Sequence, residues 1–285
     1  MIENKPVRSL LPKPPEPMRA ILIVLMACLL TVGRLAGEEP VKAPAKTLPL
    51  LGEVFALGGR AAFLILPDKT AGQAAVPWVW YAPTLPGLPG PEEKWMFERF
   101  TAAGIAIAGI DAGESYGSPA GRAVFSSLYK ELTGKRGLAR KPVLLARSRG
   151  GLMAYNWAAE NAGLTGGIAG IYPVCNLESY PGLDKACGAY GMSAAELKEH
   201  LAEQNPIERL APLARAGVPI FHIHGDVDTV VPLERNTGEV ESRYRKLGGN
   251  IQVIVPKGQG HNMWPGFFQC QELVDFVIAQ AKKAE

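Results

Sequence analysis

Through its central part the chain alternates short, unbroken apolar runs with longer stretches of helical period. Residues 105–110, 143–146, 168–172, 220–224 and 251–255 are apolar nearly throughout, as strands buried on both faces are. Before, between and after them, residues 92–102, 121–132, 151–160, 233–246 and 267–281 carry apolar positions every three or four residues, the pattern of amphipathic helices. Ahead of this alternation, 53–57 and 61–66 flank Gly58-Gly59, a hairpin signal. The aromatic run Pro77-Trp78-Val79-Trp80-Tyr81 reads as one more strand, ended by the turn-rich APTLPGLPGP. The pattern predicts an α/β fold: a mostly parallel central sheet covered by helices on both faces, with an antiparallel hairpin at its start. Residues 173–219, with helices around 193–204, break the alternation and are expected to form a lid-like insertion.

The amino-terminal part follows a different rule. Residues 1–17 are polar and proline-rich; Met18-Arg19 then precedes the apolar run Ala20 to Val32, small residues through Gly37, and Glu38-Glu39. A positive charge, a short apolar run and small residues is the pattern of a signal peptide, and the run is too short to span a hydrocarbon core of about 30 Å. The expectation is export to the periplasm or the extracellular space, with 1–37 removed, 38–50 a linker and 51–285 one catalytic domain. No stable membrane span is expected. A lipid anchor at Cys28 is the lesser alternative, because Leu25-Met26-Ala27-Cys28 loosely fits a lipidation box.

Composition narrows the classes. A chain of 285 residues that is 47% hydrophobic and 20% charged is too apolar for a disordered protein. Thirty lysines and arginines against 27 acids, without a basic run, give no nucleic-acid groove. Of the four cysteines, Cys28 lies in the signal segment. Cys175 and Cys187, twelve apart in a Gly/Pro-rich segment, are expected to form a disulfide in an exported protein; three unpaired thiols are the other possibility. No C-x-x-C and no Cys/His cluster occurs, so no metal is expected, and no feature calls for an organic cofactor.

The chemistry gathers at three strand ends. KPVLLARSRGGLMAYNWAAE runs an apolar strand into Ala146-Arg147-Ser148-Arg149-Gly150-Gly151 and at once into a helix. That is the strand–turn–helix setting of a nucleophile elbow, in which small neighbours let the serine adopt a strained backbone. VPIFHIHGDVDTVVP ends a second buried strand at Gly225 and offers Asp226 and Asp228. IQVIVPKGQGHNMW ends a third in a Gly-rich turn carrying His261. The order Ser, acid, His, each just after a strand, is that of an α/β-hydrolase triad.

On these residues the chain from about Leu51 to Ala281 resembles α/β-hydrolases of the prolyl-oligopeptidase/acetyl-esterase type, through HG-x-x-D-x-x-V-P and G-x-G-H. The resemblance implies Ser148 as nucleophile, His261 as base and Asp228, rather than Asp226, as the acid that orients it. Asp226 is expected as a turn residue. The segment DAGESYGSPAGR looks like the family's glycine-rich loop beside the active site. Two departures stand out. Ala146 replaces the first Gly of the elbow, and Tyr81-Ala82-Pro83-Thr84 replaces the usual His-Gly after the third strand. One oxyanion donor is then the N–H of Arg149. For the other, Ala82, Thr84 and the Tyr81 hydroxyl are candidates, with Ala82 preferred, since Pro83 has no N–H.

The remaining candidates are substrate contacts: Tyr81, Glu114 and Trp264. His222 and His224 alternate on one strand and are expected to be structural; His200 is expected at the surface. Arg147 and Arg149 flank the nucleophile, and salt bridges to Asp111 or Glu114 are their plain role. The sharper role is for Arg149 to hold an anionic substrate group. S-R-x-G also resembles glucuronoyl esterases over those four residues alone. The expected function is a secreted serine carboxylesterase acting through an acyl-enzyme on a small-molecule or polysaccharide ester, including acylated or uronic-acid esters. A prolyl-oligopeptidase-like peptidase and a non-enzymatic binding module on the same scaffold are the alternatives.

Overall fold

In the computed structural model the described residues are Met1, 46–67 and 75–283; the signal segment, Cys28 and most of the linker lie outside them. All that follows concerns the unit Lys42–Glu285. Its strands are β1 (Glu53–Leu57), β2 (Arg60–Ile65), β3 (Trp78–Ala82), β4 (Ala106–Ile110), β5 (Val143–Arg147), β6 (Gly167–Ile171), β7 (Ile220–Ile223) and β8 (Ile251–Ile254). They form one sheet in the order β1-β2-β4-β3-β5-β6-β7-β8. The pairs β1/β2 and β2/β4 are antiparallel, and every other neighbouring pair is parallel. The hairpin at the start and the parallel body are those read from the sequence.

Burial on both faces follows from what each strand alternates. Trp78, Trp80, Leu144, Ala146, Ile168 and Ile220 face one layer, made by α2 (Pro119–Lys135), α3 (Gly150–Glu160) and α8 (Thr237–Lys246). Val79, Tyr81, Val143, Leu145, Ala169 and Phe221 face the other, made by α1 (Lys94–Ala102), α9 (Pro265–Phe268) and α10 (Gln271–Lys283). Both sets are apolar, so the strands carry no polar face and read as continuous runs.

Boundaries moved where capping chemistry acts. Helix α2 starts at Pro119 rather than 121, because Pro fits the first helical position and the Ser118 hydroxyl accepts from the Gly121 N–H at 3.4 Å. The helix expected over 267–281 is two, α9 and α10, broken at Gln269-Cys270. Between β6 and β7 lie α4 (Leu183–Tyr190), α5 (Ala194–Glu199), α6 (Leu201–Gln204) and α7 (Ala211–Arg215). Leu177, Ala186 and Leu197 of this stretch share a small core with Leu152 and Val231.

The expected disulfide is corrected. Cys175 and Cys187 are free thiols. Cys175 is fully buried in the main core beside α8, whereas Cys187 is on α4 with its Sγ against the Asp184 carbonyl at 3.4 Å. The two belong to different packing surfaces. Burial pushes the Cys175 thiol far up and that of Cys270 to about 11, so neither forms the reactive thiolate at neutral pH. Alkylation of the native protein should therefore label Cys187 ahead of Cys175 and Cys270, and a reductant should leave the Tm unchanged within about 1 °C, where losing a disulfide would cost about 2–5 kcal/mol.

Candidate active site

β5 delivers Ser148 directly from Arg147 into the turn before α3, with φ of 50°, a region that L-residues with a side chain rarely occupy. What holds it there is contact from both sides. A Cβ on Gly150 would run into the Ala82 carbonyl at the end of β3, and one on Gly151 into the Val174 carbonyl after β6. Both neighbours can sit this close only because positions 150 and 151 lack a side chain. The Ser148 backbone is tied further by its N–H to the Ile171 carbonyl at 3.0 Å and by the Val174 N–H to its own carbonyl at 2.8 Å. Ala146 is fully buried in the sheet, and its single methyl takes the place of the absent glycine.

From this turn a line of hydrogen bonds leads inward. Ser148 Oγ lies 2.9 Å from His261 Nε2, and His261 Nδ1 lies 2.8 Å from Asp228 Oδ2. The other carboxylate oxygen of Asp228 accepts the N–H groups of Val230 at 2.9 Å and Val231 at 2.8 Å. Burial pushes the Asp228 carboxyl up, but the imidazoles of His224 and His261 and the Val231 N–H hold it well below the usual carboxylate range. It is an anion at neutral pH, and its bond to His261 Nδ1–H turns Nε2 toward the Ser148 hydroxyl as the acceptor. Asp226 is the turn residue expected, accepting the Gly258 N–H at 2.6 Å.

Behind Asp228 runs a second line of polar groups, all fully buried. The Tyr155 hydroxyl is 2.7 Å from His222 Nε2; His222 Nδ1 and His224 Nδ1 are 3.0 and 2.8 Å from the Thr237 hydroxyl; His224 Nε2 is 2.8 Å from the Val231 carbonyl. One assignment satisfies every member. The carbonyl can only accept, so His224 carries its proton on Nε2. Its Nδ1 then accepts from Thr237, which accepts from His222 Nδ1–H, whose Nε2 accepts from Tyr155. Burial lowers the pKa of His222 to about 3, which keeps it the neutral ring that this chain needs. The chain ends on the loop whose N–H groups hold Asp228, with His224 Nε2 also 3.4 Å from Asp228 Oδ2.

A cavity of about 250 Å³ opens at Ser148 and His261, lined also by Pro83, Leu88, Arg147, Arg149, Tyr172, Tyr180, Val230 and Met263. Several expected contacts lie elsewhere. Tyr81 is fully buried and donates its hydroxyl to Glu93 Oε1 at 2.7 Å, so it is a core residue and not a substrate contact. Ala82 pairs with Ala146 in the sheet and is 1% exposed; Pro83 takes its place at the cavity. The Thr84 hydroxyl donates back to the Tyr81 carbonyl at 3.2 Å. Glu114 is exposed and pairs with Arg149 at 2.8 Å. Trp264 packs its ring edge-on against Phe267 at 5.3 Å, outside the cavity lining. His200 is at the surface, near Glu203 at 3.7 Å.

Besides Tyr155 and Thr237 of the buried line, Glu93 and Tyr172 escaped sequence reading. Glu93, fully buried, binds Arg147 at 2.6 Å as well as Tyr81. It stood in an ordinary acidic helix start, and only the fold brings Arg147 to it. Tyr172, also buried and at φ 36°, sits with its ring centroid 4.3 Å from that of His261. The sequence signal available was its place directly after an apolar strand, where active-site residues of parallel sheets collect.

The sheet order, with the Ser148 turn at the end of a central parallel strand, is that of the α/β-hydrolase fold. Solved structures with this fold include the dipeptidyl peptidase 4 of Porphyromonas gingivalis, 11% identical with a TM-score of 0.64 over 80% of this chain and 35% of that one. The acylaminoacyl peptidase of Pyrococcus horikoshii is 17% identical with a TM-score of 0.61, over 80% and 40%. An S-formylglutathione hydrolase from Agrobacterium tumefaciens is 14% identical with a TM-score of 0.63, over 79% of this chain and 90% of that one. The chain thus spans well under half of the two peptidases. No protein-family model matches the sequence, and no curated protein sequence does.

Replacing Thr237 with Val, which fits the space but cannot relay the hydrogen bonds, should lower kcat about tenfold with KM within about twofold, while Thr237→Ser should restore it; steady-state kinetics of the three proteins checks this. His222 has a folded pKa of about 3 against about 6.5 when unfolded. Its contribution to stability is therefore complete above pH 6.5 and is lost as pH falls from there toward 3. Tm measured over that window should fall more steeply in the wild type than in His222→Asn.

Proposed function

We propose that this protein is a serine hydrolase of carboxylic esters, and the observation that carries the reading is the hydrogen-bonded line from Ser148 through His261 to Asp228. Ser148 Oγ attacks the ester carbonyl as His261 Nε2 takes its proton. Asp228 holds the ring by Nδ1–H and stabilises the imidazolium. His261 returns the proton to the leaving alcohol, and water then cleaves the acyl-enzyme with the same base. The N–H of Arg149, at the start of α3, where first-turn N–H groups have no partner within the helix, is the oxyanion donor. With Ala82 taken up in β3, the second donor is left open.

The cavity supports an ester over a peptide. At about 250 Å³ it suits a small acyl group and its alcohol. Peptidase chemistry remains the second reading, favoured by the peptidases among the structural neighbours. Export of the mature chain, and an acylated or uronic-acid polysaccharide as natural substrate, extend the reading on the strength of the amino-terminal pattern.

The test is hydrolysis of p-nitrophenyl acetate beside Ala- and Pro-p-nitroanilides. Wild type should prefer the ester, and Ser148→Ala should lose turnover by at least about 10³-fold while keeping its circular-dichroism spectrum. Asp228→Asn should lower kcat by about 10³–10⁴-fold. Faster cleavage of a nitroanilide would assign the peptidase reading, and wild-type rates in folded Ser148→Ala would sink both.

A further inference from the structure

Two polar groups in the Ser148 cavity are built and left without adequate partners. The hydroxyl of Tyr172 is buried and has no hydrogen-bond partner. Beside it, Arg147 is 7% exposed. One edge of its guanidinium is used by Glu93, at 2.6 Å from Nη1, while Nη2 meets the Met263 thioether at 2.9 Å, and the guanidinium lies close enough to the Tyr172 hydroxyl to act on it electrostatically. A thioether is a weak acceptor, and a guanidinium presents five N–H donors and accepts nothing. Buried donors in this condition need an explanation. The Tyr172 backbone, at φ 36°, is strained for a residue with a side chain, and such strain collects where a side chain must be aimed.

The chemistry of the missing partner follows from the lining. Cationic and hydroxyl donors converge without an anionic counterpart: Arg147, Arg149 and Tyr172 line the cavity, and among the described residues no Asp or Glu does. Glu93 does not compensate within the cavity. It is fully buried, and its oxygens already receive Arg147, the Tyr81 hydroxyl and the Gly90 N–H at 2.7 Å. Arg149 is held by Glu114 toward solvent. Met263 is 49% exposed and unbranched, with three rotatable bonds, so it can leave Nη2 without disturbing the core.

We propose that the end of the cavity formed by Arg147, Tyr172 and Met263 is a carboxylate subsite, in which Arg147 Nη2 and the Tyr172 hydroxyl donate to a carboxylate carried by the substrate close to its scissile ester. The proposal rests on the ester-hydrolase reading for its reaction and names the substrate class that reading leaves open. It assigns the anion to the arginine before the nucleophile rather than to the one after it. The carboxylate can belong to the acyl part or to the alcohol.

Paired substrates separate these cases: mono-p-nitrophenyl succinate against p-nitrophenyl butyrate for the acyl side, and 4-acetoxybenzoate against phenyl acetate for the alcohol side. In the wild type the charged member of at least one pair should have a kcat/KM at least tenfold higher. That ratio should fall toward one in Tyr172→Phe, which keeps the ring on His261 and removes only the hydroxyl. It should fall likewise in Glu93→Gln/Arg147→Met, built as a double variant so that no buried carboxylate is stranded. Equal or lower kcat/KM for both charged esters, or a ratio untouched by Tyr172→Phe, overturns the subsite while leaving esterase activity standing. If no ester is cleaved, the reaction reading fails, and calorimetry on Ser148→Ala decides the subsite alone. Monomethyl succinate should bind at least tenfold more tightly than methyl butyrate and lose that margin in Ser148→Ala/Tyr172→Phe; equal or absent binding overturns it.

Discussion

The site depends on the left-handed backbone of Ser148. A serine at φ 50° is not held there by its own preference, so the surroundings must over-determine it. They do so with backbone: the Ala82 carbonyl from β3 and the Val174 carbonyl beyond β6 close on Gly150 and Gly151. These are the ends of the strands that flank β5 in the sheet. The parallel register that aligns those ends is thus also what fixes the nucleophile, and the elbow cannot be loosened without moving the centre of the sheet. The same alignment explains why the remaining functional groups come from the loops after β6, β7 and β8.

The acid is held by a different economy. Asp228 is ionised in a buried place, and the structure supplies it with dipoles instead of a buried cation. Val230 and Val231 donate from the backbone, and the Val231 carbonyl places a proton on His224 Nε2, with Thr237 and His222 continuing the line behind it. The Val231 carbonyl accepts from His224 Nε2–H, and one consistent direction of donation runs from Tyr155 through His222 and Thr237 to His224. A protonated His222 would break that order, and burial is what prevents it. Asp228 can then act on His261 as a fixed charge in a fixed position, which is what orients an imidazole.

Much of this was legible in the sequence, and the reasons are specific. The β5 run ends on Ser148 with two glycines behind it, and its apolarity on both faces shows a central parallel strand. Asp228 and His261 each follow such a strand; His261 lies within hydrogen-bond distance of Ser148, and Asp228 within hydrogen-bond distance of His261. What sequence could not show was partnership between distant residues. Glu93 looked like a helix-start acid because nothing local marks it as the partner of Arg147, 54 positions away. Cys175 and Cys187 looked paired because spacing was the only information, and spacing says nothing of which core each thiol faces. Tyr81 looked like a cleft residue from its place after β3, yet strand alternation turns its ring onto Phe97, edge-on at 5.7 Å.

That alternation also distinguishes the two arginines around the nucleophile. Arg147 is the last residue of β5 and follows Val143 and Leu145 onto the face covered by α1 and α10, where its aliphatic stem is buried and its charge needs Glu93. Arg149 lies beyond the turn, at the start of α3, and reaches out to Glu114 with both side chains substantially exposed. An exposed pair of this kind is worth little and is easily exchanged for water or another ion. A buried guanidinium cannot be exchanged so, and removing its partner strands a charge. Arg147 is therefore the arginine fixed in place with one edge turned to the cavity, while Arg149 is the one free to move.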